Sequence, residues 1–248
     1  NGITWVIIVI IIGAVISLVA SKGYDTVSKA ANWMSPLIVL AFLACGIVAL
    51  NQLGVTSFSE FWSIWGEGSD SFPGQIKYTF WHVVIWSWFA NAAMHIGMSD
   101  LSVFRFAKKE SSGWTTAAGM YVGHYMAWIA AALLYAVYLK SPEALSFLSN
   151  GEAPPVAPGP LAYNAIGMFG IIAVFLACWT TANPTIYRAG LAFQAILPKT
   201  STFWVTILAG SIATIAGLFP AFAMKLLGFV ALYGFILAPF GAVIVFEH

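Results

Sequence analysis

The stretch from Trp5 to Ala20, WVIIVIIIGAVISLVA, decides the class of this protein. It carries no charge, and its apolar residues do not alternate with polar ones. A membrane β-strand alternates lipid-facing and lumen-facing residues, so a barrel would leave a period of two. Unbroken apolar sequence points instead to a helix, which satisfies its own backbone in hydrocarbon. Crossing roughly 30 Å of hydrocarbon takes about 20 mostly apolar residues. The run near 3–20 meets that need, as do those near 32–50, 78–98, 114–139, 161–197, 203–219 and 222–246.

Composition agrees. Hydrophobic residues make up 60% of the 248 and charged residues 8%, with a mean hydropathy of +0.88. Soluble domains carry roughly a quarter charged residues, so this chain lacks the charge to keep its whole surface wet. The expected class is an all-α integral membrane protein. A net charge of +1 provides no field that would draw nucleic acid. Cys45 and Cys178 both lie in apolar runs, fit no metal spacing and read as small packing residues rather than a disulfide. The chain opens on Asn1 with no signal peptide and stops at Glu247-His248 directly after an apolar run. It is therefore expected to be an internal portion of a longer, transporter-sized protein.

The linkers are polar or rich in Gly, Pro and Ser. The longest, 51–77, holds Glu60, Glu67 and Asp70, and an amphipathic surface helix is expected at Ser57–Trp65. The linker SPEALSFLSNGEAPPVAPGP, 141–160, is too proline-rich to be regular helix throughout. Lys22, Lys29, Arg105, Lys108, Lys109, Arg188 and Lys199 fall on one side of the predicted spans, and Lys77, Lys140 and Lys225 on the other. The positive-inside rule places the richer side and the C-terminal end in the cytoplasm. The first span then runs from outside to inside, which predicts an odd number of spans before Asn1.

Two spans carry polar residues where lipid would meet them. The third contains Asn91, His95 and Gly97, with Asp100 near its inner end. The fifth reads FLACWTTANPTIYRAGLAF from Phe175 to Phe193. Its Pro184 removes a backbone donor and crowds the preceding turn, so an interruption is expected there. Backbone freed at mid-membrane lines protein or water, and secondary transporters bind substrate and ions at such breaks. Asn in lipid is costly unless paired, which directs Asn91 and Asn183 inward.

Three phrases then resemble the nucleobase–cation symporter family, whose members are cytosine, purine, allantoin and hydantoin permeases. LACWTTANPTIYRAGLAF looks like that family's eighth helix. LYGFILAPFGAVIVFEH is similar to its tenth, and SDLSVFRFAKK resembles the phrase closing its sixth. The resemblance implies the five-plus-five inverted-repeat transporter fold, with the spans as helices four to ten of twelve. Residues 1–50 would be the last two helices of the first repeat and 51–77 an extracellular or periplasmic loop. Residues 78–248 would be the complete second repeat, with its first and third helices interrupted. The function implied is secondary active import of a nucleobase or related flat heterocycle by cation symport through alternating access. No covalent cofactor is expected. The expected partners are a small-molecule substrate and the bilayer of a plasma or bacterial inner membrane; the oligomeric state stays open.

By that resemblance, Ser87-Trp88 is the stacking position for the substrate ring, with Phe89 beside it and Asn91 and Asn183 as rim partners. The family's ion site maps onto Ala177, Thr180 and Thr181 for sodium. Their i, i+3 and i+4 spacing puts them on one helical face. The plain alternative is that the threonines bond back to carbonyls of their own helix. Asp100 and Arg105 read as an ion pair or a gate, with Gly97 and Pro184 structural. The chain departs from the family where Ala182 follows the threonine pair and where five residues separate Asp100 from Arg105.

Other classes fit the sequence less well. His82, His95 and His124 offer too few histidines for two haems stacked across the membrane. No HExxH or GxSxG pattern marks an enzyme. A proton-coupled relative using Asp100 or His95, and a non-transporting membrane subunit with the same fold, remain alternatives.

Overall fold

The computed structural model describes residues 2–65, 76–86 and 104–219, with scattered positions beyond 219. Eight helices are delimited there: α1 (Ile3–Ser21), α2 (Tyr24–Leu53), α3 (Phe58–Trp65), α4 (Ser112–Tyr138), α5 (Pro142–Ser149), α6 (Pro158–Ile166), α7 (Met168–Ile196) and α8 (Thr202–Gly217). Residues 80–86 are also helical, and among the described residues there is no strand. Four of the helices, α1, α2, α4 and α7, are long and apolar enough to cross a membrane. Their large apolar side chains point outward: Ile7, Ile11 and Leu18 on α1, and Leu37, Leu40, Leu43 and Ile47 on α2, are all exposed. A water-soluble protein would reverse that arrangement. This is a membrane-protein architecture.

The helices belong to two compact units with interleaved segments. The first comprises Asn1–Ala30, Tyr78–Lys109 and Thr181–His248, the second Ala31–Lys77 and Glu110–Thr180. Both α2 and α7 begin in one unit and continue in the other.

In the first unit, α1 packs on α8 through small residues. A methyl group added at Gly13 would collide with the Thr214 hydroxyl, and one at Gly210 with that of Ser17. Farther along, Gly217 approaches Val9. The paired numbers rise on one helix as they fall on the other, so the helices are antiparallel. Each hydroxyl is already satisfied within its own helix: Ser17 donates to the Gly13 carbonyl at 2.6 Å, and Thr214 to that of Gly210 at 2.7 Å. The seam therefore buries hydroxyls without needing a partner across the interface. Gly190 of α7 meets Thr206 of α8 in the same way, and Thr206 donates to Thr202 at 2.7 Å.

The second unit centres on α4. Ala130, Leu133, Leu134 and Tyr138 fall at i, i+3, i+4 and i+8, one face of a helix. Leu133, Leu134 and Tyr138 meet Cys45 and Ala49 of α2, Ala144 of α5, Leu161 and Ala165 of α6, and Ala173 of α7. The expected surface helix is present as α3, whose Phe61 and Ile64 pack on this core while Phe58 and Trp62 stay exposed. A capping box starts α3: Glu60 accepts from the backbone N–H groups of Thr56 (2.6 Å) and Ser57 (3.1 Å), and its own N–H reaches the Ser57 hydroxyl at 3.3 Å. The proline-rich linker holds two short helices. Ser141 caps α5 by accepting from the Ala144 N–H, and prolines open both α5 and α6.

The fifth predicted span is interrupted, but not at Pro184. It divides at Gly167, whose φ of +62° and ψ of −140° separate α6 from α7. That backbone conformation is open to glycine alone. Pro184 instead lies inside the continuous α7. A single proline removes one ladder bond, which a long helix among neighbours tolerates. Here the Thr185 hydroxyl donates to the nearby Thr181 carbonyl at 2.7 Å. At the Gly167 break, the Gln52 side-chain amide donates to the Ala165 carbonyl at 2.6 Å and satisfies part of the end of α6. Cys178 is exposed rather than packed, whereas Cys45 is buried as expected.

Two outcomes follow. Gly210→Ala should lower the thermal midpoint of the purified protein, overpacking costing about 1–3 kcal/mol. Adding Ser17→Gly should recover part of that loss, whereas no recovery would show that the seam does not set the spacing. The second outcome concerns Glu60, whose carboxyl is held below its ordinary value mainly by the Thr56 backbone N–H. The cap is complete above the ordinary carboxylate pKa and is lost as pH falls through the lowered one. Protection of the Thr56 and Ser57 amides, taken relative to the intrinsic exchange rate at each pH, should fall over that acid range, and Glu60→Gln should remove that change in protection.

Candidate functional site

The polar cluster of α7 occupies one face. Asn183, Tyr187 and Gly190 are buried at i, i+4 and i+7, Thr180 continues that face half-buried, and Ala177, one turn nearer the helix start, is also half-buried. Asn183 is only 2% exposed, inside a helix apolar enough to span a membrane. Thr181 faces outward on the adjacent side and is exposed. The three residues expected for sodium thus share a helix but not one level of burial.

Thr180 carries the local chemistry of this stretch. Its hydroxyl lies 3.1 Å from the Ala177 carbonyl oxygen and 3.2 Å from that of Leu176, donating back into its own helix. The helix continues to Pro184, which has no N–H to offer the Thr180 carbonyl four residues earlier. The Ala177 carbonyl and the hydroxyl and carbonyl of Thr180 are therefore oxygens gathered on one turn, without a carboxylate. Such a set suits a hard monovalent cation better than a transition metal. Among the described residues no cluster of three His, Cys, Asp or Glu exists that could hold a metal ion.

Trp88, Phe89, Asn91, His95, Gly97 and Asp100 lie outside the described residues. Of the third span, Trp81 is 69% exposed and Trp86 50%. An exposed tryptophan at the start of an apolar run suits an interfacial anchor. His82 Nδ1 accepts from the Thr79 backbone N–H at 3.1 Å, where helical residues 80–86 begin.

Arg105 makes a contact that the sequence did not reveal. Its guanidinium donates to the Tyr187 hydroxyl at 3.0 Å and lies 4.7 Å over the Phe106 ring. Phe106 in turn stacks on Tyr24, with centroids 4.0 Å apart and planes 16° from parallel. Tyr187 is 4% exposed and packs with Ala20 and Val27. One clasp therefore ties together the α1–α2 corner, the segment after the third span and the far half of α7, all within the first unit. Lys22-Gly23 forms that corner, with Gly23 at φ +91°. Asp100, expected as its partner or fellow gate residue, lies outside the described residues; the partner seen among the described residues is a phenol 82 residues away. The i, i+4 placement of Asn183 and Tyr187 was the available signal that both share a buried face.

A cavity of about 320 Å³ lies between α1, α7 and α8 in the first unit, lined by Trp5, Ile12, Ala182, Ile186 and Ala213 among others. Its hydroxyl side chains are Ser17 and Thr214, whose protons already go to their own helices. It offers little to the rim of a polar heterocycle. No protein-family model, curated protein or solved structure matches the chain.

A double-mutant cycle on Arg105→Gln and Tyr187→Phe should return a coupling of about 1 kcal/mol in thermal stability, the usual size for one such bond. Strictly additive losses would show that the two side chains do not act together.

Proposed function

We propose that this chain belongs to a secondary active transporter that imports a nucleobase or related flat heterocycle by symport with a cation, sodium being the coupling ion. The observation that carries the reading is Asn183, buried in a membrane-length helix three residues after Thr180 and one residue before Pro184. A helix that only spans lipid has no use for a buried amide, whose burial is costly without a role. In the proposed cycle the Ala177 carbonyl and the Thr180 and Thr181 hydroxyls hold the ion. Asn183 and Asn91 address the ring's edge, and Trp88 and Phe89 its face. The proposed orientation puts the C-terminal end in the cytoplasm.

The antiparallel seam of α1 and α8 supports the inverted-repeat fold implied by the resemblance to nucleobase–cation symporters. Gly13 and Ser17 of α1 face Thr214 and Gly210 of α8, a reciprocal pairing of two Gly-x-x-x-hydroxyl motifs. Reciprocal contact of this kind has a local two-fold axis across the helices, the relation expected between inverted repeats. These two helices would hold corresponding places, fourth in each repeat. A proton-coupled variant is the second reading, favoured by the Thr180 hydroxyl being bonded to the Ala177 carbonyl that a sodium ion would need.

The test is uptake of radiolabelled cytosine, adenine, uracil and hydantoin by the full-length protein, with sodium replaced by choline. Sodium-dependent uptake that falls at least tenfold in Thr180→Val or Thr181→Ala, as expected for a lost ion ligand worth about 1.4 kcal/mol or more, supports the symporter and its ion site. Uptake indifferent to sodium and unchanged in both variants moves coupling to protons. Absence of uptake in a folded protein overturns the heterocycle assignment.

A further inference from the structure

The clasp does more than join three segments; it concentrates basic side chains at one end of the first unit. Within 20–29, 104–109 and 186–191 lie Lys22, Lys29, Arg105, Lys108, Lys109 and Arg188. The carboxylate on these segments is Asp25, with Glu110 following as the second unit begins. Lys22, Lys29, Lys108 and Lys109 are exposed, and none forms an ion pair among the described residues. Arg105 is held more firmly. Phe106 supports its plane, and Tyr187 accepts one of its five donors. No carboxylate among the described residues takes the others.

Depth fixes what these donors meet. Lys22 follows the last residue of the membrane-length α1. Tyr187 is the twentieth residue of α7, about 30 Å from its start at 1.5 Å per residue. Phe106 is 45% exposed beside Arg105, as befits an aromatic residue at the hydrocarbon boundary. The basic end therefore lies at headgroup level, on the side that the Lys and Arg distribution assigns to the cytoplasm.

The geometry points to this end of the first unit as a binding surface for anionic phospholipid headgroups. The Arg105 guanidinium, fixed in orientation by Tyr187 and Phe106, takes the phosphate through its remaining N–H groups. Planar bidentate recognition of phosphate suits arginine. Lys22, Lys108 and Lys109 supply the surrounding positive field. Satisfying the positive-inside rule requires only lysines in the loop; it does not require a guanidinium locked between a ring and a buried phenol. The lipid thereby bridges the α1–α2 corner and the 104–109 segment, and reinforces the clasp. This surface stands whether or not the solute proposed above is right.

The test uses the purified full-length protein in detergent, titrated with phosphatidylglycerol, phosphatidylcholine and inorganic phosphate, with bound lipid read by native mass spectrometry. Phosphatidylglycerol should bind at least tenfold more tightly than phosphatidylcholine and raise the thermal midpoint. Lys108→Gln with Lys109→Gln, two exposed positions whose loss does not threaten folding, should weaken it roughly 30-fold at low salt. Tyr187→Phe, which keeps every charge, should reduce the preference for phosphatidylglycerol. Equal binding of the two lipids overturns the proposal. So does wild-type affinity in the lysine variant, or equal protection by inorganic phosphate, which would mean a soluble-anion site instead.

Discussion

Inside a bilayer every polar backbone and side-chain group must find its partner within the protein, and apolar burial no longer drives helices together. The seam between α1 and α8 meets both demands with one device. Ser17 and Thr214 spend their protons on carbonyls of their own helices, and the glycine opposite each leaves room for the hydroxyl. Close backbone approach then supplies dispersion contacts that bulky side chains would prevent. The same device recurs where Gly190 meets Thr206. Large aliphatic residues are left for the outer surface, where the lipid tails are as apolar as they are.

Departures from regular helix are managed under the same constraint. At Gly167 the chain turns through a conformation that frees carbonyls, and Gln52 reaches across from α2 to satisfy one of them. At Pro184 the chain does not turn. The loss is a single bond, and hydroxyls of Thr180 and Thr185 serve carbonyls on the neighbouring turns. A break needs a residue free to adopt positive φ; proline alone only thins the ladder. The polar stretch of α7 thus remains helical and keeps Asn183 and Tyr187 on one buried face. Under the proposed function, that rigidity holds the ion's oxygens at fixed spacing while other segments move.

The clasp around Arg105 shows how the aqueous edge differs from the interior. There a charged group survives because it stacks on Phe106, donates to Tyr187 and keeps access to headgroups. Buried deeper, the same guanidinium would need a counter-charge. Within the first unit, the clasp and the glycine seam hold different elements: one fixes the corner after α1, the other the body of α1 against α8.

The sequence by itself determined the class, the positions of the described spans and the surface helix α3, because hydrocarbon thickness and backbone satisfaction leave a chain of this composition few choices. It also marked the 141–160 linker as mixed structure and Asn183 as inward-facing. It did not locate the break at Gly167, since a glycine's dihedral angles depend on what packs around it, and a proline nearby was the louder signal. Nor did it pair Arg105 with Tyr187, or Gly13 with Thr214. Those pairings join residues 82 and 201 positions apart, and no local periodicity records which faces of two helices will meet. Only tertiary packing decides that, by testing which small residues allow two backbones to approach.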